Sequence, residues 1–275
     1  MKLIIGTANL ENVYGAYSNI LKYDEFETIV NYEVNNTDFA IDVSPDYGVA
    51  ERICNEVVNY DAEIYSKRRF KKESQEFVSS LLRGNFSRIE LIHNWEELNW
   101  FERELALKLL SKHKETQKWL NCGFSTYEQL CKPELLQEYG SICIQAPINI
   151  LNQKNIQNLK EVKKNFPETS IVARSIFLQG ALIRIDSIAP SKLHSDLERL
   201  KTTCSRLQIS PLRVCVEFIM NQEFIDGVVV GVNNFQEWLE IKECIEGPRL
   251  TNMNDADWES FASRDNNLID PRKWS

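Results

Sequence analysis

The sequence predicts an α/β protein built as a single (β/α)₈ TIM barrel over residues 1–275. Three observations predict it. Eight short apolar runs recur along the chain. Each gives way to a polar segment with helical spacing. The chain is also long enough, with 43% hydrophobic residues, to fill the core of one large domain. The runs are near-continuous, as suits parallel strands covered on both faces. An open, doubly wound sheet is the alternative that the same pattern allows.

The elements follow in order. Leu3-Ile4-Ile5 is the first predicted strand. Asp24-Glu25-Phe26-Glu27 opens a helix, with Asp24 placed to cap and Phe26, Ile29 and Val30 on one face. Phe39-Ala40-Ile41 is the second strand, and a helix begins near Gly48-Val49-Ala50-Glu51. Residues 62–65 form the third strand. Ser74 then opens a helix carrying Phe77, Val78, Leu81 and Leu82. Residues 89–92 form the fourth strand, and Leu98, Phe101 and Leu105 mark the helix after it. Residues 119–124, Ile142-Cys143-Ile144, Ile171-Val172-Ala173 and Val228-Val229-Val230 complete the eight. Helices fit 128–138, 155–164, 191–207, 211–221 and 235–244.

Composition narrows the function. Net charge is −8, and the basic residues cluster only at Lys67-Arg68-Arg69 with Lys71-Lys72. A nucleic-acid partner is not expected, because phosphate backbones need a positive face. No apolar run approaches the roughly eighteen residues of a membrane span. The N-terminus reads as a strand rather than a leader. Seven cysteines without a CxxC pair suggest reduced thiols in the cytoplasm. His93, His113 and His194 are too far apart in sequence to suggest a zinc site. No GxGxxG or P-loop occurs.

Four residues carry chemistry. Asp42 follows the second run, Tyr47 lies five residues on, Lys67 ends the third and His93 ends the fourth. Taken singly, Asp42 reads as a turn residue and Tyr47 as packing. Lys67 alone reads as the start of a solvated run, and His93 as a buried histidine. Together they sit on one rim of three neighbouring strands, where barrel sites form. A tyrosine stays protonated at neutral pH and can donate to a carbonyl oxygen. A lysine beside it stabilises the phenolate and lowers its pKa, and a carboxylate holds the lysine. A histidine can orient the carbonyl.

The pattern D-x₄-Y-x₃-E, then K, then H, here Asp42, Tyr47, Glu51, Lys67 and His93, resembles that of the aldo-keto reductases. LIIGTANL resembles the family's opening strand, and VARSIFLQGAL resembles the RSxFLQG form of a bacterial subset. The closing LIDPRKW is similar to endings in that subset. The resemblance implies an NAD(P)-dependent, cytoplasmic oxidoreductase that reduces an aldehyde or ketone. It implies that Ser125, Thr126, Gln145, Arg174, Ser175 and Phe177 hold the nicotinamide end of NADP(H) or NAD(H). Gly231, Val232, Asn233, Glu237 and Glu240 would hold the adenosine end. Thr126 stands for a usual asparagine, and Arg174 for a stacking tyrosine. Gly231 and Glu237 stand where many relatives carry the lysine and arginine that grip a 2′-phosphate. The expected substrate is a small carbonyl, polar or sugar-like, and the expected state a monomer or weak homo-oligomer with no membrane partner. Two other readings stay open. One is a catalytically weak nucleotide-binding sensor or regulatory subunit on the same fold. The other is a hydrolase or isomerase using Asp42 and His93.

Overall fold

A computed structural model of the chain describes residues 1–15, 20–84, 86–127, 133–185, 194–250 and 252–274. Eight parallel strands close a barrel. They are β1 (Lys2–Gly6), β2 (Phe39–Val43), β3 (Glu63–Arg68), β6 (Ser87–Ile92), β7 (Asn121–Ser125), β8 (Cys143–Pro147), β9 (Ser170–Arg174) and β10 (Gly227–Val230). The short strands β4 (Phe70–Lys71) and β5 (Glu76–Phe77) form a separate antiparallel pair. Around the ring the order is β1-β10-β9-β8-β7-β6-β3-β2, so the first and last strands seal the barrel. Helices separate the barrel strands except between β3 and β6, where β4 and β5 intervene: α1 (Tyr23–Tyr32), α2 (Ala50–Val57), α3 (Trp100–Gln117), α4 (Pro133–Tyr139) and α5 (Ile156–Asn165). Then come α6 (His194–Leu207), α7 (Pro211–Met220), α8 (Phe235–Glu246) and the short α9 (Asp255–Glu259). None of the described helices is long and apolar enough to cross a membrane.

Strand period divides the core in two. Outward residues such as Leu3, Ile5, Ile41, Ile64, Ile144 and Val228 pack under the helices. Inward residues Ile4, Ala40, Tyr65, Ile89, Leu91, Cys143 and Val172 fill the barrel floor, with Val229 against them. The floor is a packed layer, not a pore.

Three element expectations are corrected. Residues 74–82 are not a helix. Gln75 has φ 55°, β4 and β5 pair, and the Phe70 and Phe77 rings meet at 5.3 Å. The backbone donors a helix would need go elsewhere: Val78 N to Arg69 O, and Leu81 N to the Glu51 carboxylate. In α3 the buried stripe is Arg103, Ala106, Leu107 and Leu110, while Phe101 is exposed. Asn99 sets that register by a capping box with Glu102, leaving Leu98 before the helix. Helix α1 buries Phe26, Ile29 and Val30 as expected, but Lys22 rather than Asp24 takes the cap position. The starts of the predicted helices 128–138 and 191–207, the side chain of His194, and Cys131 lie outside the described residues. The other six cysteines are free thiols.

Candidate active site

The same alternation that builds the floor places the site one step above it. Asp42 stands two residues after Ala40, Lys67 after Tyr65, Gln145 after Cys143 and Arg174 after Val172. His93 comes two residues after Leu91, just beyond β6. All are inward positions at the C-terminal rim. The corresponding positions of β1 and β10 are Gly6 and Gly231, which leave that side open. A cavity of about 360 Å³ results, of the size that small molecules occupy. Asp42, Tyr47, Lys67, His93, Ser125 and Arg174 line it at the floor, and Gly231, Asn233 and Glu237 at the far end.

Asp42 and Lys67 form a buried ion pair at 2.8 Å. Gln145, wholly buried, closes it into a triangle. Its Nε2 donates to Asp42 Oδ2 at 2.8 Å, and its Oε1 accepts from Lys67 Nζ at 3.1 Å. Ser125 Oγ also donates to that Oε1. Two buried charges are thus paired and further hydrogen-bonded, as a low-dielectric site requires. Lys67 Nζ lies 5.1 Å from the centre of the Tyr47 ring. Tyr47 is partly buried, and its hydroxyl has no hydrogen-bond partner among the described residues. Burial, then the Asp42 charge, raises its pKa well above 10, with Arg174 opposing. The net direction is opposite to the one expected from Lys67 alone, because burial and the Asp42 charge both favour the neutral phenol.

His93 meets the Tyr47 ring edge-on, with centroids 5.8 Å apart. Its Nδ1 lies 2.9 Å from Asp46 Oδ2 and 3.4 Å from Ser44 Oγ. Burial, and then the Lys67 ammonium, push its pKa down to about 4, with Asp46 opposing. The imidazole is therefore neutral at neutral pH.

The remaining predicted residues divide. Ser175, Phe177, Gly231, Asn233 and Glu237 line the cavity. Gln145 faces Asp42 and Lys67 instead, and Thr126 gives its hydroxyl to Glu96, away from the cavity. Val232 is buried in the core, and Glu240 is exposed and bonded to Gln236. Arg174 donates to Ser125 Oγ and Thr126 O, and its guanidinium lies 4.0 Å from the centre of Tyr127. At the far end, Glu237 accepts from Asn233 N and Nδ2, and Arg184 stands 3.9 Å from it. Trp95 does not wall the cavity; it is fully buried and stacks on Phe124.

Some participants escaped sequence reasoning. Asp46 fixes His93, and its only sequence signal is the Ser44-Pro45-Asp46 turn, where Ser44 Oγ accepts from Asp46 N. Tyr127 is flanked by Arg174 and by Arg272, whose guanidinium lies 3.3 Å from its centre. Arg272 is held by Asp270, so the LIDPRKW segment folds back onto the loop after β7.

No family model and no curated protein matches the chain. Solved structures do. An aldo-keto reductase of Bacillus halodurans, in its holo form, shares 13% of residues with a TM-score of 0.70, over 95% of this chain and 92% of its own. A glycerol dehydrogenase of Gluconobacter oxydans shares 14% with a TM-score of 0.66, over 94% of this chain and 89% of its own. At these identities the likeness is one of fold: the chain has the (β/α)₈ barrel of solved aldo-keto reductases.

Proposed function

We propose that this protein is an aldo-keto reductase, which reduces an aldehyde or ketone to an alcohol with a nicotinamide dinucleotide. The observation that carries the reading is the meeting of Tyr47, the Asp42–Lys67 pair and His93 at one cavity on the C-terminal rim of this barrel. A carbonyl gaining negative charge needs a proton. Tyr47 holds one at neutral pH and has no competing partner for it among the described residues. Lys67 stabilises the phenolate left behind, and Asp42 and Gln145 keep its ammonium in place. His93 borders the same space.

The residues fit an elongated dinucleotide. The cavity runs from Ser125 and Arg174 to Asn233 and Glu237, and a Cβ on Gly231 would meet nothing within 4 Å. Ser125, Arg174, Ser175, Phe177, Gly231, Asn233 and Glu237 would hold it. When bound, its reduced ring supplies hydride to the carbonyl carbon. The far end favours NAD(H) over NADP(H). Two first-turn amides of α8 are already taken, Phe235 N by Glu25 and Glu237 N by Asn234. The Glu237 carboxylate would repel a 2′-phosphate and can accept from a ribose hydroxyl. A cytoplasmic enzyme, a monomer or weak homo-oligomer, completes the proposal.

The test is NADH-dependent reduction across a panel of small carbonyls. Tyr47→Phe is expected to lower kcat at least about a hundredfold, with NADH affinity by fluorescence titration unchanged. Undiminished turnover in that variant overturns the assignment. Nucleotide quenching without turnover by the unaltered protein would favour the sensor reading instead.

A further inference from the structure

We propose that Arg272 is a positioning residue for this site: it clamps the Tyr127 ring against Arg174 and so fixes the guanidinium that would hold the nicotinamide. The inference rests on the dinucleotide binding of the reductase reading and adds to it a residue outside the cavity.

Arg174 lines the cavity, but its own hydrogen bonds restrain it weakly. Nε donates to Ser125 Oγ and Nη1 to Ser175 Oγ, each at 3.3 Å, and Nη2 donates to Thr126 O at 3.1 Å. The first two are longer than the usual N–H···O range. The further restraint is the Tyr127 ring, whose centre lies 4.0 Å from the guanidinium carbon. A cation over an aromatic face is drawn to it by the ring quadrupole.

Tyr127 is held in turn. Its N–H donates to Glu96 Oε1 at 2.7 Å, and its carbonyl accepts from Asn155 Nδ2 at 3.0 Å. These bonds anchor the backbone but do not set the ring's rotation about Cα–Cβ. Arg272 supplies that restraint, with its guanidinium carbon 3.3 Å from the ring centre. Two unbonded carbons this close to one ring centre would collide on a shared face. Arg174 and Arg272 therefore cover opposite faces, and the ring is clamped between them. Asp270, which is buried, accepts from Arg272 Nε at 2.8 Å and from Nη2 at 2.7 Å. It fixes the outer guanidinium and balances its charge. Leu268 and Ile269 are buried, and Trp274 Nε1 donates to Leu268 O, so the segment is anchored on both sides of Arg272. Arg272 itself is exposed and lines no part of the cavity. It can act on a bound nucleotide only through Tyr127 and Arg174.

Calorimetric titration with NADH and with ADP-ribose, which lacks the nicotinamide, tests the clamp. Arg272→Ala is expected to weaken NADH about tenfold and to leave ADP-ribose within about twofold. A general folding defect would weaken both. Arg174→Ala is expected to lose the same NADH affinity, and Arg272→Ala added to it to lose no more, because the two act as one unit. Tyr127→Leu is expected to match Arg272→Ala, and Tyr127→Phe, which keeps the ring, to restore the affinity. Undiminished NADH affinity in Arg272→Ala, equal losses for the two ligands, or full additivity with Arg174→Ala overturns the clamp and leaves the reductase reading standing. Failure of the unaltered protein to bind NADH overturns both.

Discussion

His93 gives the fold a dependence on pH that a solvated histidine would not. In the unfolded chain an imidazole titrates near 6.5, whereas here it titrates near 4. Above pH 6.5 both states are neutral and the residue contributes nothing to the difference. Between about 6.5 and 4 the unfolded chain binds the extra proton, so stability is lost as pH falls through that window. The loss approaches about 3 kcal/mol below pH 4. Urea midpoints measured from pH 7 to pH 4 are expected to fall less steeply in His93→Gln than in the unaltered protein. Equal slopes would show that burial and Lys67 do not set this residue's titration. On the same floor, Asp42 and Lys67 pair with each other and both bond the Gln145 amide.

At the scale of elements, close strand approach is fixed by single residues. A Cβ on Gly123 would lie 1.8 Å from Cys143 O across the β7–β8 pairing. Gly123→Ala must push those strands apart, at a cost of about 3 kcal/mol. Gly231→Ala meets open space and is expected to stay within about 0.5 kcal/mol of the unaltered protein. Thermal unfolding of the two variants checks the contrast, which fails if both lose equally. The barrel strands were legible in sequence because apolar runs buried on both faces leave few other readings. The segment 74–82 was not. Its spacing Phe77, Val78, Leu81, Leu82 has helical form, but Glu51 and Arg69 claim its backbone from elsewhere in the chain. The four candidate residues were legible because each ends or follows a strand. Asp46 was not, because a turn residue gains its role only when β6 brings His93 beside it. Gln145 was placed on the right strand, but its bonds to Asp42 and Lys67 were not legible, since sequence cannot tell which inward residues reach across the barrel.

At the scale of the whole molecule, the cavity lies over the seam where the first and last barrel strands meet. Gly6, Ala8 and Asn9 border it from β1 and the loop beyond, and Val229 and Gly231 from β10. Strand β1 pairs with β10 from Lys2↔Gly227 to Ile5↔Val230, and Asn9 Nδ2 donates to Val232 O just above. A ligand in this cavity contacts both sides of the closure, so its binding energy adds to the stability of the folded barrel. At a free concentration of about a hundred times Kd the gain is about 2.7 kcal/mol. For a chain of this size that raises Tm by roughly 5 °C. NADH is expected to produce the rise, with amide hydrogen exchange slowing most along β1 and β10. NADPH is expected to produce less than half of it, because its added phosphate would face the Glu237 carboxylate beside two α8 amides that are already bonded. Equal shifts with the two nucleotides would overturn the role given to Glu237. No shift with either would overturn dinucleotide binding itself.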